Sequence, residues 1–324
     1  MLTPKGSGRL LRAMLLAAVA ASLALNVAAL VVPFLEVDVA FRGTALYSLP
    51  RSVELLWQAG LYVLALLVAL FSILFPFVKL AVLSWAALGG GPAAARARWL
   101  GRVGSLGRWS MLDVFLASLL LGITNDRFFV DTQARVGLPL FALAIAISIT
   151  TGEFLEHKHI PAVTWRLRRA TRGQRALLLL TWLVLLTAIG LPFLQISDWR
   201  MRDDAYSLTG LVESLWQAAP TIASLIAVFV IGVPLLELTA ISVAALAAQR
   251  SAVRAARLRR HLERWSMLEV FVAALAIFLA EGHEFVRTEL RWGTLLLLGA
   301  LLLHVLSRRA LERRLRLVPR RTDA

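Results

Sequence analysis

From Leu61 to Val78 the chain runs for eighteen residues without a charge, and Tyr62 and Ser72 are its only hydroxyls. A run of this length is what a helix needs to cross a bilayer, and several other runs match it. Nearly three-fifths of the 324 residues are hydrophobic. Mean hydropathy is +0.74, so the chain reads as an integral membrane protein. In hydrocarbon each backbone group must find its partner inside its own segment. The fold class expected is therefore all-α.

The runs come in two matching sets. VPFLEV (Val32 to Val37) answers LPFLQI (Leu191 to Ile196), and YSLPRSVELLWQAG (Tyr47 to Gly60) answers YSLTGLVESLWQAA (Tyr206 to Ala219). FPFVKLAVLSWAAL (Phe75 to Leu88) answers VPLLELTAISVAAL (Val233 to Leu246), and FFVDTQARVG (Phe128 to Gly137) answers EFVRTELRWG (Glu284 to Gly293). An octet recurs almost unchanged, RWSMLDVF at Arg108 to Phe115 and RWSMLEVF at Arg264 to Phe271. The offset drifts from 159 through 158 to 156, which puts the deletions in loops and identifies a duplicated module. Each half carries four apolar segments, near 10–35, 53–88, 106–125 and 138–156, then 174–196, 212–247, 264–281 and 291–308. The expectation is eight transmembrane helices in two four-helix modules, residues 1–160 and 161–324, the second ending in a basic tail.

Charge sets the orientation. Loops on the side of the N-terminus hold 26 Lys and Arg and the opposite loops hold 8, with Lys79 left inside a segment. That bias predicts both termini in the cytoplasm and accounts for most of the net charge of +15, leaving little reason to invoke nucleic acid. An even number of spans per repeat implies two repeats of parallel orientation. The N-terminal stretch with Lys5, Arg9 and Arg12 has the look of a signal peptide, but the same segment recurs in mid-chain, which argues against cleavage.

Segments two and six are too long for one straight span: either they tilt and kink, with Pro76 and Pro234 as the candidate helix breaks, or they extend out of the bilayer. At their outer ends lie Glu54, Trp57 and Gln58, and Glu213, Trp216 and Gln217, which read as interface anchors or as a docking edge for a partner. Ionisable residues inside spans are functional candidates by default. Lys79 and Asp113 in the first repeat occupy the places of Glu237 and Glu269 in the second. Lys79 and Asp113 are expected within reach of each other. Glu237 and Glu269 are expected to face each other without a cation, sharing a proton. Ser110 and Ser266 precede the acids by three residues on the same helical face, and Ser84 and Ser242 extend that polar track. Arg108 with Trp109, and Arg264 with Trp265, read as anchors at the inner interface.

The sequence has no nucleophile elbow, phosphate loop or cysteine, and its one close histidine pair, His157 and His159, lacks further ligands nearby. No cofactor and no metal are expected, and no enzymatic activity.

The duplicated four-span unit, the FPFVKL segment and the RWSMLDVF octet resemble the paraquat-inducible protein A (PqiA) family of bacterial inner-membrane proteins, including its LetA branch. The resemblance implies a partner with MCE domains that forms a tunnel across the periplasm, and phospholipid moving between inner and outer membranes. It also implies a proton-relay-like network of in-membrane polar residues, onto which Lys79, Asp113, Glu269, Ser110 and Ser266 map. Two departures stand out. The cysteine-rich zinc ribbons common in the family have no counterpart here, and Glu237 replaces the lysine of the P-x-x-K pattern in the second repeat. Two other readings stay open: a proton-coupled transporter of a small hydrophobic compound, and a membrane scaffold that anchors a periplasmic partner without moving anything.

Overall fold

The structure, a computed structural model, describes residues 5–39, 43–124, 130–157, 164–167, 170–197, 203–247, 249–281, 288–313 and 315–318. It divides into two compact units, Met1–Ile160 and Pro161–Ala324. His159 lies outside the described residues, as does the His157 side chain.

The first unit opens with α1 (Lys5–Val31), followed by a hairpin of β1 (Leu35–Val39) and β2 (Gly43–Tyr47). Next come α2 (Leu49–Gln58), α3 (Tyr62–Val68), a π-helical turn (Ala69–Leu74) and α4 (Phe75–Ala87). Then follow α5 (Ala93–Leu106), a 3₁₀ turn (Gly107–Met111), α6 (Leu112–Thr124), β3 (Val130–Ala134) and α7 (Gly137–His157). Leu15 and Val19 of α1 pack on Leu80 and Leu83 of α4, Leu100 of α5 and Leu155 of α7. Between helices in an apolar medium, close packing and interhelical hydrogen bonds do the holding. Ser22 on α1 supplies one such bond, its hydroxyl donating to the Ala144 carbonyl of α7 at 2.9 Å.

The second unit repeats the order: β4 (Thr164–Leu167), α8 (Arg172–Gly190), β5 (Leu194–Ser197), β6 (Asp203–Tyr206), α9 (Leu208–Ala218) and α10 (Pro220–Leu225). A π turn (Ile226–Gly232) leads to α11 (Val233–Leu246), and after it α12 (Gln249–Trp265), α13 (Leu268–Glu281), β7 (Thr288–Leu290), α14 (Trp292–Glu312) and β8 (Leu315–Val318). Thr171 caps α8 reciprocally with Gln174, and the Ser207 hydroxyl caps α9 by accepting from the Gly210 amide at 3.0 Å.

Four features add to what the sequence pattern shows. The chain is predominantly helical, and each unit also carries a three-stranded antiparallel sheet of short strands, β2-β1-β3 and β6-β5-β7, while β4 pairs with β8. Six helical stretches among the described residues are long and apolar enough to cross a membrane, and the segments headed by the octets are not among them. Among the described residues those segments form α6 and α13, of 13 and 14 residues, with Leu112, Val114, Phe115 and Leu119 buried.

The presumed loops after α4 and α11 hold the amphipathic helices α5 and α12. On α12 the buried positions Ala252, Ala255, Ala256 and Arg259 follow helical spacing, which the many arginines obscured. Lastly, the long second segments break at Gly60, whose φ is +81°, and at Ala219–Pro220, and not at Pro76 or Pro234.

Each sheet is locked to its last long helix by the same glycine. The Gly137 amide donates to the Pro33 carbonyl and the Gly293 amide to the Pro192 carbonyl, both at 3.1 Å. A Cβ on Gly137 would come within 2.7 Å of the Pro33 and Val32 carbonyl oxygens, and one on Gly293 would be closer still to Pro192. Gly137→Ala and Gly293→Ala are each expected to destabilise the protein by about 1–3 kcal/mol, read as a lowered unfolding temperature in detergent.

Candidate functional site

Each unit has one polar centre, and a proline shapes its floor. In the π turns the Phe75 amide donates to the Leu70 carbonyl and the Val233 amide to the Val228 carbonyl, five residues back. The next residue is proline in both cases, with no N–H to give. The carbonyls of Phe71 and Phe229 therefore receive nothing from the following helical turn. In the second unit the Met267 amide of the octet fills the gap, donating to the Phe229 carbonyl at 3.1 Å. The octet's tryptophan covers the same spot: Trp265 stacks on Phe229 at 5.5 Å, and Trp109 lies 6.2 Å from Phe71. These tryptophans, expected at the inner interface, pack on the π turn and help seat the octet there.

In the first unit the same elements bury Ser72 on the π turn, Lys79 on α4, Ser110 on the 3₁₀ turn and Asp113 on α6. Their exposures are 1, 3, 2 and 6 %. Ser72 is the hydroxyl that acts on the Asp113 carboxylate, yet no hydrogen bond of normal length closes between them. Lys79 and Asp113 form no ion pair. The Lys79 amine turns to Gly107, lying 2.9 Å from where a Cβ on that glycine would stand. Among the described residues the Ser72 hydroxyl, the Lys79 amine, the Ser110 hydroxyl and both Asp113 oxygens have no hydrogen-bond partner.

The second unit is the opposite case. Glu237, fully buried, is held by Arg308 Nε on Oε1 at 3.0 Å and by His304 Nε2 on Oε2 at 3.1 Å. The same guanidinium reaches Glu269 through Nη1 at 2.8 Å and Glu263 through Nη2 at 2.9 Å. Arg259 extends the chain of charges, pairing with Glu263 and Glu312, each at 3.1 Å. The expectation of two facing acids without a cation is thus overturned, because α14 supplies one. Reasoning from the sequence had counted Arg308 among the charges of the basic tail. The readable signal was His304 and Arg308 four apart, on one face of the last apolar helix.

The remaining candidates are dispersed. Ser266 is buried and its amide donates to the Leu262 carbonyl, while Ser242 accepts from the Trp182 indole at 3.1 Å and serves packing. Pro76 and Pro234 are the second residues of α4 and α11, continuing the helical path. At the outer ends Trp57 and Trp216 are 55 and 57 % exposed, and Gln58 donates to Glu54 at 3.3 Å. Glu213 and Gln217 are exposed beside Trp216. No group of three metal-binding side chains occurs among the described residues, and the chain has no cysteine.

A duplicated membrane protein with a buried charged centre in each half is the class that fold and site define. The family model for paraquat-inducible protein A matches residues 13–162 and again 173–316, and the chain belongs to that family. No curated protein and no solved structure matches the chain.

Removing one partner of a buried ion pair strands the others, at a cost of about 3–5 kcal/mol. Arg308→Ala should therefore lower the unfolding temperature sharply in detergent, and adding Glu237→Gln should recover part of the loss.

Proposed function

We propose that this protein is the inner-membrane subunit of a system that moves phospholipid between membranes, handing lipid to or taking it from a periplasmic tunnel of MCE domains. It works as a carrier and not as an enzyme. Each unit contributes four apolar segments, both termini are cytoplasmic as the charge bias asks, and proton movement through in-membrane acids drives the transfer. Family membership supports this reading. The observation that carries it is the first unit's centre, where an amine, a carboxylate and two hydroxyls are buried unpartnered between apolar helices.

Unpaired ionisable groups in such a place are expensive, and proton pathways are where membrane proteins keep them. Lys79 and Asp113 are the residues assigned to the proton, with Ser72 and Ser110 relaying to them. Glu237 and Glu269 complete the second centre. The outer pieces α2 and α9, with Glu54, Trp57 and Gln58 and with Glu213, Trp216 and Gln217, form the edge offered to the tunnel protein. An apolar cargo suits the spans, which offer few polar groups to a soluble solute.

Affinity-tagged protein should co-purify with an MCE-domain protein and with phospholipid. Asp113→Asn and Lys79→Met should insert normally and fail to transfer labelled phospholipid between membranes. A tunnel partner without lipid dependence would instead mark a scaffold. Transport of a small apolar compound without any partner would mark a secondary transporter.

A further inference from the structure

The two centres occupy equivalent places and are filled in opposite ways. At the repeat offset of 156 found for the octet and the last helix, Gly107 corresponds to Glu263, Ser148 to His304 and Gly152 to Arg308. At the offset of 158 that relates Pro76 to Pro234, Ser72 corresponds to Val230 and Lys79 to Glu237. At the three positions from which α12 and α14 reach the centre directly, Glu263, His304 and Arg308, the first unit has glycine or serine. A Cβ on Gly152 would meet only Leu83 of α4, at an ordinary 3.5 Å, so this position points at the helix that carries Lys79. Where the first unit places a hydroxyl beside its acid, the second has the aliphatic Val230.

We propose that the two repeats have divided the work: the second unit's centre is a clasp closed by its own Arg308, and the first unit's centre is a hydrated chamber whose polar groups are satisfied by water. This rests on reading the first centre as the working one.

In the clasp every carboxylate meets a guanidinium or imidazole supplied by the chain itself. Atoms without a hydrogen bond occur in both centres, but in the second they belong to Glu237, Arg259, His304 and Arg308, all held in ion pairs, whereas the five in the first belong to residues with no ion pair among the described residues. Burying such atoms dry costs roughly 1–3 kcal/mol each, and more for charged groups. Two or more waters, each making about three hydrogen bonds, match that set of donors and acceptors: an ammonium, two hydroxyls and a carboxylate. At 107, 148 and 152 the first unit has no side chain able to close an ion pair across its centre, as Glu263, His304 and Arg308 do in the other repeat. Exchange with solvent protons then belongs to the first unit, and the second holds α14 against α11, α12 and α13.

The chain has no cysteine, so a single introduced thiol gives one S–H stretching band in an otherwise clear infrared window. Ser72→Cys and Val230→Cys place that thiol at equivalent positions that are both 1 % exposed, so accessibility in the structure favours neither. Each variant is reconstituted in phospholipid vesicles, transferred to D₂O, and followed as S–H converts to S–D. Hydration of the first centre should make exchange at Ser72→Cys at least about tenfold faster than at Val230→Cys, reflecting waters already at hand in one centre and shut out of the other. A smaller ratio, or the reverse order, overturns the proposal. Should either variant fail to insert, Ser110→Cys against Ser266→Cys is read by the same criterion. No lipid transfer enters the measurement, so a failure of transfer bears on the function proposed above and not on this division.

Discussion

A proline in an apolar helix leaves a carbonyl that no water can satisfy, and both units are built around that deficit. The helix widens to a π turn just before Pro76 and Pro234, which shifts the unpaired oxygen to Phe71 and Phe229. The octet then settles there, with a backbone amide on the oxygen in the second unit and a tryptophan against the phenylalanine in both. Seating the octet starts α6 and α13 inside each unit, and so buries Asp113, two residues after Met111, and brings Glu269, two residues after Met267, to Arg308. In both octets the tryptophan packs on the phenylalanine of the π turn.

What surrounds the acids differs because the cation comes from different helices. In the first unit it is Lys79 on α4; in the second it is Arg308 on α14. A guanidinium presents five donors in a planar fork and stays charged, so one residue can serve three carboxylates, as Arg308 does. An ammonium on a flexible stem does not span that distance, and Lys79 settles against the bare backbone of Gly107. Buried ionic clusters contribute less to stability than to specifying one arrangement. Here the arrangement specified is the position of α14.

The duplication and the six long apolar helices were legible because they rest on local pattern and on hydropathy, which survive without any tertiary information. So was the placement of Lys79, Asp113 and Glu237 inside the protein, since charges in apolar runs announce themselves. The rest depended on contacts across long stretches of chain. The sheets pair β1 with β3 over some ninety residues, and short strands such as LQIS carry too little alternation to be seen. α12 was hidden because alanine and arginine, not leucine, form its buried face. Arg308 was misread because charge counting treats an arginine near a helix end as belonging to the loop beyond it, whatever lies behind the helix. The packing of Trp109 and Trp265 on phenylalanines almost forty residues earlier is likewise a long-range contact that residue type does not announce.

Gly107 carries a consequence for how such a pair of repeats can diverge. Its missing side chain is what gives the Lys79 amine a place, so positions 79 and 107 are tied to each other and, through the acid, to position 152. Starting from a repeat like the first, exchanging the lysine for glutamate at once would bury two acids with no counter-ion. Adding an arginine first at the α7 position leaves a surplus cation near the end of a helix, where a long side chain can reach outward. The ordered route to the second unit's centre therefore begins with the arginine, passes through the lysine-to-glutamate exchange, and admits Glu263 last.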